Sequence, residues 1–320
     1  MLRSIFVLTC YLLTFWLSPA KKEIEKDPSF SFKKNKQYLL ITDQSVNRVA
    51  IVDVDAKKVT WEWRAREAGI RPQDVKWFNA PSDAKAVYNN KYILLNASLG
   101  GVALVRVADK KTIFYAYAGG NTHSAELLPD GNIVAASSTG NYLTVFHTDT
   151  LHFPDSVYSK KIYLPFAHNV VWNKKRNILW SAAKNKLYTL RYNFNCERPD
   201  LTITDSINLP DTDAHDLFPI YGKDSLWLTT VHGVFKIDPA TKKITTVTGN
   251  YTKNIKDVSS GPEGFPTIIM LPKEQWWTDE VLDKEGNSIF KQDGLKMYKV
   301  RWFLPNLFSY PRQDEIKFCQ

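Results

Sequence analysis

The sequence predicts an all-β fold, a six-bladed β-propeller of four-stranded antiparallel blades. Three observations predict it: a repeat of 40 to 47 residues, short apolar or β-branched runs inside each repeat, and a three-strand remnant ahead of the first full repeat. Five segments align in register. They begin at Ser82-Asp83-Ala84-Lys85, Thr122-His123-Ser124-Ala125, Ala167-His168-Asn169-Val170, Ala214-His215-Asp216-Leu217 and Ile255-Lys256-Asp257-Val258, at spacings of 40, 45, 47 and 41 residues. Propeller blades recur at about that period, each blade being one small sheet that buries its faces only against its neighbours. Within a unit, Tyr92 to Asn96, Val102 to Val107 and Thr112 to Tyr117 are strand-like runs, divided by Leu99-Gly100-Gly101 and Asp109-Lys110-Lys111. Tyr38 to Thr42, Arg48 to Val54 and Val59 to Trp63 supply the last three strands of a further blade, which makes six. Its innermost strand comes from the N-terminal stretch or from the C-terminal tail, and the pattern leaves both open. No window keeps apolar residues at i, i+3, i+4 and i+7, which excludes a helical fold, and a sandwich has no reason to repeat every ~40 residues.

The termini divide the chain into residues 1–20, a signal peptide; 21–36, a Lys-rich N-terminal segment; and 37–320, a single propeller domain. Arg3 precedes the apolar run Ile5 to Leu17, and Ser18-Pro19-Ala20 offers small residues for cleavage. That run is short of the ~20 apolar residues that span a bilayer. Export to the periplasm or the cell exterior follows, without stable membrane insertion. Cys10 sits inside the apolar run, with too little of it ahead for a lipidation site. Removing residues 1–20 takes away only Arg3 among the charged residues, so the formal charge falls from +9 to +8. Lys160-Lys161, Lys174-Lys175 and Lys242-Lys243 fall where hairpin turns are expected, so most of the basic excess is solvated turn; the remainder suits acidic glycans among partners. A monomer that does not bind nucleic acid is expected. Cys196 and Cys319 are too few for a disulfide framework, and whether they pair is left open.

Strand direction fixes where the histidines point. If the innermost strand of a blade runs down from one face, the second runs up, and the turn between strands two and three lies on the starting face. His123, His168 and His215 stand at the start of three consecutive inner strands and therefore ring one mouth of the central channel. Asp83 and Lys256 hold the equivalent positions in neighbouring blades. His232, in a turn between strands two and three, shares that face, as do Trp276 and Trp277; His147 and His152 follow a third strand and belong to the opposite face. A ring of imidazoles with Asp83, Asp216, Asp257 and Lys256 beside it has the chemistry to hold a divalent metal ion, to move protons or to bind an anion. A hydrogen-bonded cap on each inner strand is the structural alternative. His123, His168 and His215 are the expected catalytic or metal-holding residues. Asp83, Lys256, Asp257, Asp216, Arg48, His232, Trp276 and Trp277 are the expected ligand-binding set, with Glu126 a weaker candidate. The adjacent tryptophans suit the flat face of a sugar ring; Trp63, Trp172, Trp180 and Trp227 are expected to pack between blades.

The run Gly119-Gly120-Asn121-Thr122-His123-Ser124-Ala125-Glu126-Leu127-Leu128-Pro129-Asp130-Gly131-Asn132, together with Trp276-Trp277-Thr278-Asp279, resembles a domain-of-unknown-function family of exported bacterial six-bladed propellers, over nearly all of the mature chain. The resemblance implies the fold and the exported location and no particular activity. His215-Asp216 and the Leu-Pro-Asp-Gly-Asn turn after His123 are more distantly similar to elements of arylsulfotransferases, although here the two elements are split between blades. Asp55-Ala56-Lys57-Lys58-Val59-Thr60-Trp61 is similar to quinoprotein repeats. Certain oligogalacturonide lyases also hold a metal with histidines at a propeller mouth, an analogy of fold that does not carry function with it. No phosphate-binding Gly-rich loop, Gly-x-Ser-x-Gly elbow or His-Glu-x-x-His helix is present, which sets aside the nucleotide-dependent and classical protease classes. The function expected is binding or processing of a glycan at the channel mouth, by a lyase or hydrolase; a non-catalytic glycan- or protein-binding propeller and an arylsulfotransferase-like transferase are the alternatives.

Overall fold

The computed structural model describes residues 36–313 and 315–319. The expected signal peptide and all of the Lys-rich segment except Lys36 lie outside the described residues. Within them the chain forms six four-stranded antiparallel sheets. Blade 1 comprises Met297–Trp302, Tyr38–Asp43, Arg48–Asp53 and Lys58–Trp63; blade 2 Pro81–Val87, Tyr92–Ala97, Gly101–Arg106 and Thr112–Tyr117; blade 3 Thr122–Leu127, Ile133–Ser137, Tyr142–Phe146 and Ser159–Tyr163. Blade 4 comprises Val171–Asn173, Ile178–Ala183, Lys186–Tyr192 and Leu201–Asn208; blade 5 Asp216–Pro219, Leu226–Thr229, Val234–Ile237 and Ile244–Thr246; blade 6 Asp257–Ser259, Ile268–Met270, Glu280–Asp283 and Ser288–Lys291. The strand runs read from the sequence agree with these within about a residue at each end. Short 3-10 turns at Ala65–Glu67 and Val75–Phe78 occupy the long connection from blade 1 to blade 2.

The question of closure is answered by the first blade. Its innermost strand is the C-terminal Met297–Trp302, which pairs antiparallel with Tyr38–Asp43 through Leu39↔Trp302, Leu40↔Arg301 and Ile41↔Val300. The ring is thus shut by the first and last strands of the chain. Between blades the apolar faces merge into buried clusters, and most carry a tryptophan as the large filler. Trp61 and Trp63 lie in the cluster of blades 1 and 2, Trp172 in that of blades 3 and 4, Trp180 in that of blades 4 and 5, Trp227 in that of blades 5 and 6, and Trp302 in that of blades 6 and 1. Where blades 2 and 3 meet, Phe114 and the tail residues Tyr310 and Ile316 take that place. Filling a wedge between two twisted sheets needs large side chains, and burying each is worth ~1.5–3 kcal/mol.

The channel is filled with charge. Arg301, on the closing strand, donates to Asp83 of blade 2 at 3.0 and 3.2 Å and to Asp216 of blade 5 at 2.9 and 3.1 Å, while its guanidinium lies 3.8 Å from the centroid of the Phe218 ring. Lys299, two residues earlier, donates to Asp216 at 3.0 Å and lies 3.5 Å from a carboxylate oxygen of Asp83. Farther along, Lys85 donates to Glu126 at 3.0 Å and to the Val170 carbonyl at 2.7 Å, and the Tyr310 hydroxyl donates to Glu126 from the tail. After the closing strand the tail returns to blade 4, where Cys319 is disulfide-bonded to Cys196.

Two outcomes follow. Arg301→Ala leaves two buried carboxylates short of their main partner and is expected to cost about 3–5 kcal/mol, seen as a lowered midpoint in urea unfolding. Cys196→Ser, which opens the loop of 123 residues between the bridged cysteines, is expected to cost about 2–5 kcal/mol and to lower the melting temperature with the strand content of the circular dichroism spectrum unchanged.

Candidate functional site

Local backbone geometry presents the mouth residues to the channel. In blade 3 the inner strand pairs Thr122 with Ser137 and then Ser124 with Ala136, so His123 is an extra residue, bulged out of register. Blade 2 has the same irregularity between Pro81 and Asp83. The closing strand has it where Tyr298 and Lys299 pass Thr42, whose hydroxyl is bonded to both the N–H and the carbonyl of Lys299. Bulges re-aim side chains in this way beside functional sites. The Gly119-Gly120 entry to blade 3 serves the same end: a Cβ on Gly120 would sit 2.8 Å from the Gly140 backbone and 2.7 Å from the Tyr142 hydroxyl, so only glycine lets the chain pass there into His123.

The three histidines meet. His123 and His168 stack face to face, ring centroids 4.2 Å apart and planes 8° from parallel, and His168 meets His215 edge-on at 5.7 Å. Lys256 continues the series, its Nζ 3.2 Å from His215 Nε2. Tyr298 extends the series at its other end, its hydroxyl 3.3 Å from His123 Nδ1. Five side chains from blades 1, 3, 4, 5 and 6 therefore form one connected mouth. Accepting from the Lys256 ammonium requires a lone pair on His215 Nε2, which places the neutral ring's proton on Nδ1. That Nδ1 is buried without a hydrogen-bond partner, as are both ring nitrogens of His168 and the Asn169 Nδ2 and Ser124 Oγ behind them. Buried polar atoms are nearly always paired in proteins, to protein or to water, so this cluster leaves several hydrogen-bonding positions for a ligand or solvent to fill.

Charge in this region is tightly constrained. Burial, with Lys299 nearby, holds His123 down to about 3; burial, with Lys256 in contact, does the same for His215. Burial and the neighbouring imidazoles hold His168 well below its ordinary value. All three rings are neutral at physiological pH. Burial, reinforced by Lys299, brings Lys256 down to about 8. One layer deeper, burial pushes the carboxyls of Asp83 and Asp216 up, but Arg301 and Lys299 outweigh it and keep both ionised. Asp257 goes the other way: burial and the charge of Asp216 push it up to about 8 against the pull of Arg301. With Asp257 protonated, the two carboxylates balance Lys299 and Arg301, and the layer is neutral.

The expected site residues divide on this map. His123, His168, His215 and Lys256 come together at the mouth. Asp83, Asp216 and Asp257 do not face a ligand: the first two are spent on Arg301 and Lys299, and Asp257 accepts from the Val300 N–H. Arg48 is likewise occupied, by Asp43 at 2.9 Å and Glu62 at 2.6 Å. Glu126 is wholly buried with Lys85 and Tyr310. His232 is on the expected face, exposed and bonded to Asp211 through Nδ1. Trp276 is 48% exposed there, with its indole N–H donating to Gln44, and Trp277 is half-buried under Lys296. The metal role does not fit the histidines as they stand. A metal lies in the plane of each imidazole that binds it, ~2.0–2.1 Å from the nitrogen, and the near-parallel planes of His123 and His168 share no such point. Among the described residues no group of three His, Cys, Asp or Glu side chains is placed to hold an ion. Sequence reasoning missed Tyr298, Lys299 and Arg301. The signal was there, since Tyr298 follows Lys256 by 42 residues, within the repeat, but it depended on knowing which terminus closes the ring.

Comparison with known proteins agrees with this architecture. The fold is similar to that of a protein of unknown function from Bacteroides caccae, at 16% identity and a TM-score of 0.54, with 83% of this chain and 98% of that one covered. It is similar also to a chain of the nidogen/laminin complex, at 13% identity and a TM-score of 0.56, with 84% and 98% covered. These likenesses are of fold alone. A fainter one, at 13% identity and a TM-score of 0.49, is to the virginiamycin B lyase of Staphylococcus aureus, with 84% of this chain and 87% of that one covered. No curated protein matches the sequence. The model of a family of unknown function, DUF6528, matches residues 5–320, and the chain belongs to that family.

Proposed function

We propose that this propeller is exported and binds an acidic glycan at the histidine mouth, with the carboxylate of a uronic acid held by Lys256 and the Nδ1–H of His215. The observation that carries this reading is the set of buried, unpartnered imidazole nitrogens on His168 and His215 beside a lysine that, among the described residues, pairs with no carboxylate. A sugar supplies what these atoms lack, namely many oxygens at close spacing and, in a uronic acid, one negative charge. Trp276 stands on the same face with its indole open to solvent, suited to an apolar sugar face. Export is supported by the signal-peptide pattern and by the Cys196–Cys319 bridge, since disulfides persist in oxidising compartments.

A second reading, that the bound sugar is also processed, rests on the contact of Lys256 with neutral His215 and on the Tyr298 hydroxyl beside His123. In a β-elimination, above about pH 8, where Lys256 is deprotonated, the carboxylate is held by the Nδ1–H of His215 and the Lys256 amine takes the proton next to it. The electron pair forms the carbon–carbon double bond, the glycosidic C–O bond breaks, and Tyr298 protonates the leaving oxygen. A transferase acting through a histidine nucleophile would use the same His215–Lys256 contact, and turnover of an aryl sulfate distinguishes it.

Calorimetric titration with galacturonate oligomers is expected to give binding that Lys256→Gln weakens by about tenfold to a hundredfold, the worth of a hydrogen bond to a charged group. Equal affinity for neutral oligomers of the same length would exclude the acidic-glycan reading. Growth of ultraviolet absorbance from an unsaturated product separates processing from binding. The pH profile has a definite sign. Lys256 is protonated below about 8, so affinity is full below that pH and falls as pH rises through it, and Lys256→Arg moves the fall to higher pH. Because His123 and His215 are held down to about 3, affinity stays level between pH 7 and 5, where an ordinary histidine site would gain it.

A further inference from the structure

A cleft of about 970 Å3 opens on the face opposite the histidines. It lies between the inner-strand ends of blades 4 and 5 and the tail that follows the closing strand. Its walls are mostly aromatic and apolar, with Trp172, Phe218, Tyr221, Trp302, Leu307 and Phe308 among them. A volume near 1,000 Å3 with such a lining is the usual form of a site for a small organic molecule. The Phe218 ring that lines the cleft also carries the Arg301 guanidinium, 3.8 Å from its centroid, so the charged layer of the channel stands between this cleft and the mouth.

Two further observations give the ligand its chemistry. Asn173 lines the cleft at 1% exposure, and its Nδ2 has no hydrogen-bond partner, although its Oδ1 accepts from the Arg176 N–H. It is a buried donor waiting for an acceptor. The rim carries Lys174, Lys223 and Arg312, and among the described residues none of them forms an ion pair; Lys174 donates only to the Tyr310 carbonyl. Asp224 of the same rim is already held by Lys175 at 2.8 Å and Arg176 at 2.7 Å. The cleft therefore joins an apolar, ring-lined interior to a positive edge whose cations form no ion pair among the described residues.

We propose that this cleft is a second ligand site, for an amphipathic organic anion: a flat apolar body lying among Phe218, Tyr221 and Trp302, with a carboxylate or sulfonate directed to Lys174 and Arg312. Such a site is independent of the glycan reading, because it shares no residue with the histidine mouth. The test uses anilinonaphthalene sulfonate and its uncharged counterpart phenylnaphthylamine, the same rings without the acid. One sulfonate dye is expected to bind per chain, with fluorescence excited through the tryptophans. The double variant Lys174→Gln, Arg312→Gln, at two exposed positions, is expected to weaken the sulfonate by about tenfold or more while changing phenylnaphthylamine by less than about twofold. Leu307→Trp, which fills the ring-binding part, is expected to weaken both dyes. The proposal is overturned if the dye occupies several weak sites, if the charge variant leaves the sulfonate unchanged or weakens both dyes alike, or if Leu307→Trp leaves both unchanged.

Discussion

Arg301 is the residue on which the ring depends. It belongs to blade 1 and binds carboxylates from blades 2 and 5 across the channel. A propeller's apolar seams join only neighbouring blades, so contacts between distant blades must come from side chains that reach over the axis. An apolar residue would fill that space but would specify nothing about which blades face each other. The guanidinium, with its planar fork of donors, sets both distance and orientation. Lys299 and a protonated Asp257 complete the balance, and the histidine mouth rests on this layer, for Lys299 also donates to the His123 carbonyl at 3.3 Å.

Neutral histidines and an ionised layer beneath them are consequences of the same burial. Wherever opposite charges can meet, as at Arg301 and Asp216, burial is compatible with ionisation. Wherever they cannot, as in the His123–His168 stack, burial expels the proton. The mouth is thereby left with nitrogens that hydrogen-bond without carrying charge, and Lys256 is its one titrating cation near neutral pH. The channel's two ends differ in kind: one is small, polar and short of partners, the other wide, aromatic and basic at its rim.

Much of the architecture could be read from the amino-acid sequence, because blade repetition imposes a period that local composition expresses directly. Strand direction alone brings His123, His168 and His215 to one face. What could not be read was pairing across the axis. Asp83, Asp216 and Asp257 look like ligand-binding carboxylates until Lys299 and Arg301 are placed among them, and those two lie in a strand whose partner is more than two hundred residues away in sequence. Arg48 is hidden from sequence for a related reason, since Glu62 comes within reach of it only once strands three and four of its blade are in register. The stacking of His123 on His168 depends on a bulge, which spacing does not reveal.

The closing strand is the last in sequence of the twenty-four among the described residues. While it is missing, blade 1 has an open edge, and the carboxylates of Asp83 and Asp216 have nothing to justify leaving water. The earlier blades are therefore poorly served by collapsing around the axis. Closing the ring requires the strand that brings both backbone pairing and charge neutralisation. The same six residues that pair the backbone of blade 1 thus also neutralise its axis, so closure of the ring and burial of its charges are one structural event.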